Sequence, residues 1–169
     1  MRKLQKTLCP FVMSILLAAC GGNPPKPPPL PIPPAFMVCA QFTAAPYADN
    51  YHPGTSFIEN GFTFADPTGF QFTNLIGSGV PLGLQFPNTG IKITLPLPAS
   101  IVTLDMGGFA GGINFGALSS TGVPGTTGVL AGDNSIHTVL LHAVPLSDIK
   151  TVSLKDGNNE GIVIKICAQ

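Results

Sequence analysis

Glycine and proline break this chain into pieces too short for helices. Twenty glycines and eighteen prolines are spread over 169 residues. Inside a helix each glycine costs about 1 kcal/mol and each proline about 3. No stretch carries sustained helical periodicity with caps at its ends. What survives between the breaks is alternation. In "GIKITLP", Ile91, Ile93 and Leu95 fall on one side, Lys92 and Thr94 on the other. "GIVIKICAQ" places Ile162, Ile164 and Ile166 inward, with Lys165 and Cys167 in the opposite phase. Val38, Ala40 and Phe42 alternate with Cys39, Gln41 and Thr43. Asn60-Gly61 stands between β-prone runs in "SFIENGFTF" and signals a hairpin. "SIVTLDM", "GGINFGAL", "HTVLLHAV" and "IKTVSLKD" supply further runs. Short runs at close spacing, with turns between them, predict an all-β antiparallel sandwich of about eight to ten strands.

The first nineteen residues stand apart. Arg2, Lys3 and Lys6 make a basic start, and Leu8 to Leu17 is an apolar run interrupted only by Cys9, Pro10 and Ser14. That run is too short to span a bilayer and has the length of a signal-peptide core. It ends in Leu17-Ala18-Ala19-Cys20, which resembles a bacterial lipobox. The resemblance implies that Met1–Ala19 is removed and that Cys20 becomes the lipid-bearing N-terminus of a cell-envelope protein. Gly21, where an aspartate favours the inner membrane, leans toward the outer membrane or cell surface. An ordinary signal peptide leaving Cys20 free is the alternative. Residues 24–34 then hold eight of the eighteen prolines. Such density enforces a polyproline II path rising ~3.1 Å per residue, a stiff spacer of roughly 34 Å. The chain is therefore expected to divide into a signal peptide (1–19), a lipidated cysteine with its proline-rich tether (20–35) and one domain (36–169).

With Cys9 removed and Cys20 lipidated, Cys39 and Cys167 remain as an even pair in an oxidising compartment, and a disulfide is expected. Closing so long a loop stabilises by up to about 4–5 kcal/mol in the chain-entropy model. Two free structural thiols are the alternative. A bridge would bring the first and last strands together, which favours a jelly roll over an open sheet. Without Arg2, Lys3 and Lys6 the chain keeps five lysines against eight carboxylates, a net of −3. With no basic stripe, nucleic acid is not an expected partner, and the membrane is reached through the lipid alone.

"FIENGFTF", "LQFPNTGIKITLPLPASIVTLDM", "NSIHTVLLHAV" and "IKTVSLKDGNNEGIVIKI" together resemble a bacterial jelly-roll domain of the carbohydrate-binding-module type, from about Tyr51 to Ile166. The last of these reads as a hairpin turning at Asp156–Glu160. The resemblance implies a non-catalytic glycan-binding role. The chain has no tryptophan, the residue such sugar-binding faces commonly display.

Catalytic chemistry is not evident. His137 and His142 lie five apart on one expected strand and face opposite sides, so they do not chelate together. "IGSGV" around Ser78 lacks the nucleophile elbow. The carboxylates sit beside Gly or Asn in apparent turns, where Asp and Asn bond their own backbone. A small hydrolase would need Glu59 or Glu160. Calcium is the minority alternative to a plain loop in "DGNNEG", with Asp156, Asn158 and Glu160 as hard oxygen donors; otherwise no cofactor is expected. "LAGDNS", with Asp133 and Asn134, invites the same comparison. For a ligand, "PYADNYHPG" is the richest loop: Tyr47, Asp49, Asn50, Tyr51 and His52 combine rings for apolar sugar faces with groups for hydroxyls. The competing reading packs Tyr51 beneath the loop. Phe57, Phe62, Phe64, Phe70, Phe72 and Phe86 are expected in the core. The leading expectation is a lipid-anchored binding module for a glycan or other envelope polymer. A structural or adhesion protein with a protein partner is the alternative.

Overall fold

The computed structural model of the chain describes residues 36–77, 80–109, 111–143 and 147–169. The expected signal peptide, Cys20 and the tether lie outside the described residues, as does Ser78. Two antiparallel sheets face each other. The first contains β1 (Val38–Gln41), β4 (Thr73–Gly77), β5 (Val80–Phe86), β7 (Ile101–Gly108), β10 (His137–His142) and β12 (Gly161–Ala168). Their order is β10-β7-β12-β5-β4, with β1 also paired to β12. The second contains β2 (Ser56–Glu59), β3 (Phe62–Ala65), β6 (Ile91–Ala99), β8 (Ile113–Leu118), β9 (Pro124–Leu130) and β11 (Ile149–Asp156). Their order is β2-β3-β6-β11-β8-β9.

The all-β sandwich matches expectation, with twelve strands among the described residues rather than eight to ten. The surplus has a simple origin. Strands β5 to β12 alone wind the jelly roll, as β5-β12-β7-β10 against β6-β11-β8-β9. The segment before them adds four short strands. The β2–β3 hairpin extends the β6 edge, β4 extends the β5 edge, and β1 lies end to end with β5 along one side of β12.

Alternation is read out as burial. Ile91, Ile93 and Leu95 face the interior while Lys92 is exposed. Phe42, Phe62, Phe64, Phe72 and Phe86 are all fully buried, and each such side chain contributes about 1.5–3 kcal/mol on leaving water. Phe42 meets Phe64 edge-on at 5.1 Å, and Phe57 stacks on Phe64 at 5.0 Å. Phe70 departs from expectation: it precedes β4, off the pleat, and is 49% exposed. At the hairpin, Glu59 pairs with Phe62, and Asn60 and Gly61 have φ of 48° and 82°. Positive φ at both central residues suits the strand twist and is what Asn-Gly supplies.

Two expectations are corrected. Ile162 and Ile164 do not join Ile166 in the interior. The pairing of β12 with β7 slips between Val163 and Lys165, so Ile164 is an extra residue on β12. This bulge reverses the phase. Val163, Ile166 and Ala168 face the other sheet, while Ile162 and Ile164 form a separate cluster with Phe109 and Ile136. The Asp156–Glu160 turn, in turn, is no hairpin, because β11 and β12 belong to different sheets. Four consecutive residues, Asp156 to Asn159, have φ between 54° and 80° and carry the chain across the sandwich.

Cys39 and Cys167 are direct cross-strand partners on β1 and β12 and are disulfide-bonded, 128 residues apart in sequence. The first and last strands are adjacent, as the cysteine count implies.

Candidate functional site

The tyrosine loop divides into an inner and an outer half. Tyr47 is only 5% exposed. Its ring lies edge-on to Phe42 at 4.9 Å, and its hydroxyl donates to Glu59 Oε2 at 2.7 Å. Burial, then that hydrogen bond and the carboxylate's charge, push the phenol pKa up, so Tyr47 stays a neutral donor. Asn74 on β4 is fully buried and donates from Nδ2 to the carbonyls of Phe42, at 2.9 Å, and Tyr47, at 3.3 Å. Its backbone accepts from Asn50 N and donates to the Tyr51 carbonyl. Side chain and backbone of Asn74 thereby tie Phe42, Tyr47, Asn50 and Tyr51 to β4. Tyr47 is packed inward, with its hydroxyl engaged by Glu59.

The outer half is accessible. Tyr51 is 39% exposed, its ring edge-on to Tyr47 at 5.6 Å. The His52 ring shares a hydrogen bond with Thr73 Oγ1 through Nδ1 at 3.0 Å. Asp49 and Asn50 are exposed, with Asn50 Nδ2 donating to Asp49 Oδ2 at 3.2 Å. Four of the five expected loop residues are therefore exposed.

The oxygen-rich turns have internal partners. Asp156 accepts from the Asn114 amide, and Asn159 accepts from Asn88 N and Gln85 Nε2. Asn158 and Glu160 are exposed at the tip. Asp133 accepts from Ser135 N and pairs with the His137 ring at 2.9 Å, which holds its carboxyl below the usual range. Among the described residues no three His, Cys, Asp or Glu side chains converge as a metal site needs. Glu59, the expected acid of a hydrolase, is held by the Tyr47 hydroxyl.

The outer face of the second sheet, which the sequence did not point to, carries a more extensive constellation. Register places Ser56, Ala65, Lys92, Ser153, Gly116 and Thr127 in one row across six strands. The adjacent row is Ile58, Thr63, Thr94, Thr151, Leu118 and Pro124. Six strands at ~4.8 Å spacing make each row about 24 Å long. Ala65, Ser153 and Gly116 are small, so the exposed Lys92 stands among short side chains in the first row. A hollow of about 290 Å³ opens over Lys92, Thr151, Ser153, Lys155 and Leu118, with Thr89 at one end. Period-two reading of "GIKITLP" and "IKTVSLKD" yields these outward side chains. Their adjacency needs the strand order, in which β6 and β11 are neighbours although more than fifty residues apart.

No family model matches the chain, and no curated protein matches it. Among solved structures it is similar to a lysine-to-alanine variant of a family 29 carbohydrate-binding module, at 10% identity and a TM-score of 0.44, over 80% of this chain and 92% of that one. An aspartate-to-alanine variant of the same module aligns at 10% identity and a TM-score of 0.43, over 79% and 89%. Another aspartate variant, complexed with mannohexaose, aligns at 10% identity and 0.39, over 79% and 87%.

Proposed function

We propose that this chain is a lipid-anchored extracytoplasmic module that binds a glycan or another envelope polymer without transforming it. The observation that carries the reading is the outer face of the second sheet. A linear polymer needs an open track with repeated hydrogen-bonding groups, and this face offers Thr63, Thr94 and Thr151 side by side over about 10 Å, next to the row that holds Lys92 and Ser153. Tyr51 supplies a second, aromatic contact surface. In this reading the lipid is on Cys20, and the prolines between residues 24 and 34 hold the domain away from the headgroups.

Polysaccharide pull-down and a glycan array with the full chain test it. Ser153→Trp, which fills the hollow, is expected to abolish binding, and Tyr51→Ala to weaken it. Silence across all glycans with a folded protein contradicts the reading. Mass spectrometry of Cys20 tests the anchor: an acylated cysteine is expected, and an unmodified one contradicts it.

A structural role with a protein partner is the second reading. It is favoured by Ile58 on β2 and Val129 on β9, each 70% exposed at opposite edges of that sheet. Crosslinking in intact cells separates the two, since discrete protein adducts support assembly.

A further inference from the structure

Charge on this domain is distributed unevenly. Eight carboxylates outnumber the four lysines of residues 36–169. Lys150 is spent internally, its Nζ donating to the Leu95 carbonyl at 2.9 Å. Lys165 lies on the first sheet, on β12. The remaining two, Lys92 and Lys155, come together on the second sheet. Lys92 is the register partner of Ser153, and Lys155 follows Ser153 by two residues on the same face, so the ammonium groups are diagonal neighbours over one hollow. Both are exposed, and the ion pair found among the described residues is His137 with Asp133. Like charges so placed repel, an arrangement that costs stability unless something anionic sits between them.

Asp156, which follows Lys155, and Asp66, which follows the register partner of Lys92, do not serve that purpose. Asp156 is engaged by the Asn114 amide. Asp66, 8% exposed, is wrapped by Thr68, through its backbone N and Oγ1, and by Thr89 Oγ1. The acids are turned to internal donors while the two cations face solvent. Beside them lie the Thr151 and Ser153 hydroxyls, with Leu118 as an apolar neighbour. Two ammonium groups beside hydroxyls suit a sugar bearing carboxylate or sulfate groups better than a neutral one.

We infer that the Lys92–Lys155 hollow recognises an anionic polysaccharide, with the two ammonium groups on its acidic substituents and Thr151 and Ser153 on its hydroxyls. This rests on the polymer-binding reading above and deepens it by naming the ligand class. The row continues through small residues beyond the two ends of the Lys92–Ser153 pair, Ala65 on one side and Gly116 on the other, so a chain can pass through rather than end there.

The test is binding of the full chain to polygalacturonate and dextran sulfate, against fully methyl-esterified polygalacturonate and neutral dextran, with single-stranded DNA as a polyanion that is not a glycan. An acidic polysaccharide is expected to bind and its neutral counterpart to bind at least tenfold more weakly. Lys92→Ala and Lys155→Ala are each expected to weaken binding about three- to tenfold, and salt to weaken it further. Lys165→Ala, on the other sheet, is expected to leave it unchanged. Thermal melts confirm that each variant is folded. Preference for carboxylated over sulfated chains, or the reverse, identifies the substituent. Equal binding of acidic and neutral chains, insensitive to both lysines, overturns this inference and leaves the polymer-binding reading standing. DNA binding as tight as the acidic glycan overturns the assignment of a saccharide. Binding to no polysaccharide overturns both.

Discussion

Thr126 and His142 clasp two edge strands that belong to different sheets. The Thr126 hydroxyl on β9 donates to the His142 carbonyl on β10 and accepts from the His142 backbone N–H, each at 2.8 Å. A single side chain thus stands in for a strand-to-strand bridge and closes one side of the sandwich. Thr126→Val, equal in shape, removes both bonds. It is expected to lower stability by about 1–2 kcal/mol in urea denaturation. No change would show that water replaces the clasp without cost.

Asn74 is the strongest prediction for the tyrosine loop. Replacing it with leucine strands the carbonyls of Phe42 and Tyr47 in a buried setting. A loss of about 2–4 kcal/mol is expected, together with faster amide exchange across residues 47–52. An unchanged exchange pattern would show that the loop is held by other contacts.

Reduction tests the pinning of the chain ends. Cys39 and Cys167 close a loop spanning 128 residues. The double variant Cys39→Ala/Cys167→Ala is expected to lose up to about 4–5 kcal/mol while keeping its native spectrum. A fold unaffected by the change would mean that β1–β12 pairing alone fixes the ends.

Asp66 gives a pH dependence of known sign. Burial raises its pKa, but hydrogen bonds from Thr68, Phe70 and Thr89 outweigh that and leave it below the ordinary 3.8. A carboxylate lowered in the folded state contributes stability in full above its unfolded pKa and loses it as pH falls through the folded value. Stability measured from pH 5 downward is therefore expected to fall more steeply in the wild type than in Asp66→Asn. Parallel curves would contradict this.

The jelly-roll core was legible because period-two patterns survive local twists: Ile91, Ile93 and Leu95 are buried as their alternation demands. Alternation failed on β12, where one inserted residue at Ile164 moves Ile162 and Ile164 off the main interior. Nothing local to "GIVIKICAQ" marks that slip, since the inserted residue is itself apolar. The Asp156–Asn159 turn misled for a related reason. Asp, Gly and Asn report positive φ but not which sheet the next strand enters. Tyr47 and Tyr51 are chemically alike, and the difference between them is made by Glu59 and Asn74, partners distant in sequence. The Lys92–Lys155 hollow was hidden likewise, because its residues come from strands that only the topology makes neighbours.

The most direct test of the central claim is amide-exchange footprinting of the full chain with and without saturating acidic polysaccharide. Protection is expected on Ile91–Leu95, Thr151–Lys155 and Asn114–Leu118, the central strands of the second sheet. Protection confined to the first sheet, or none at all with a polysaccharide that demonstrably binds, would contradict it.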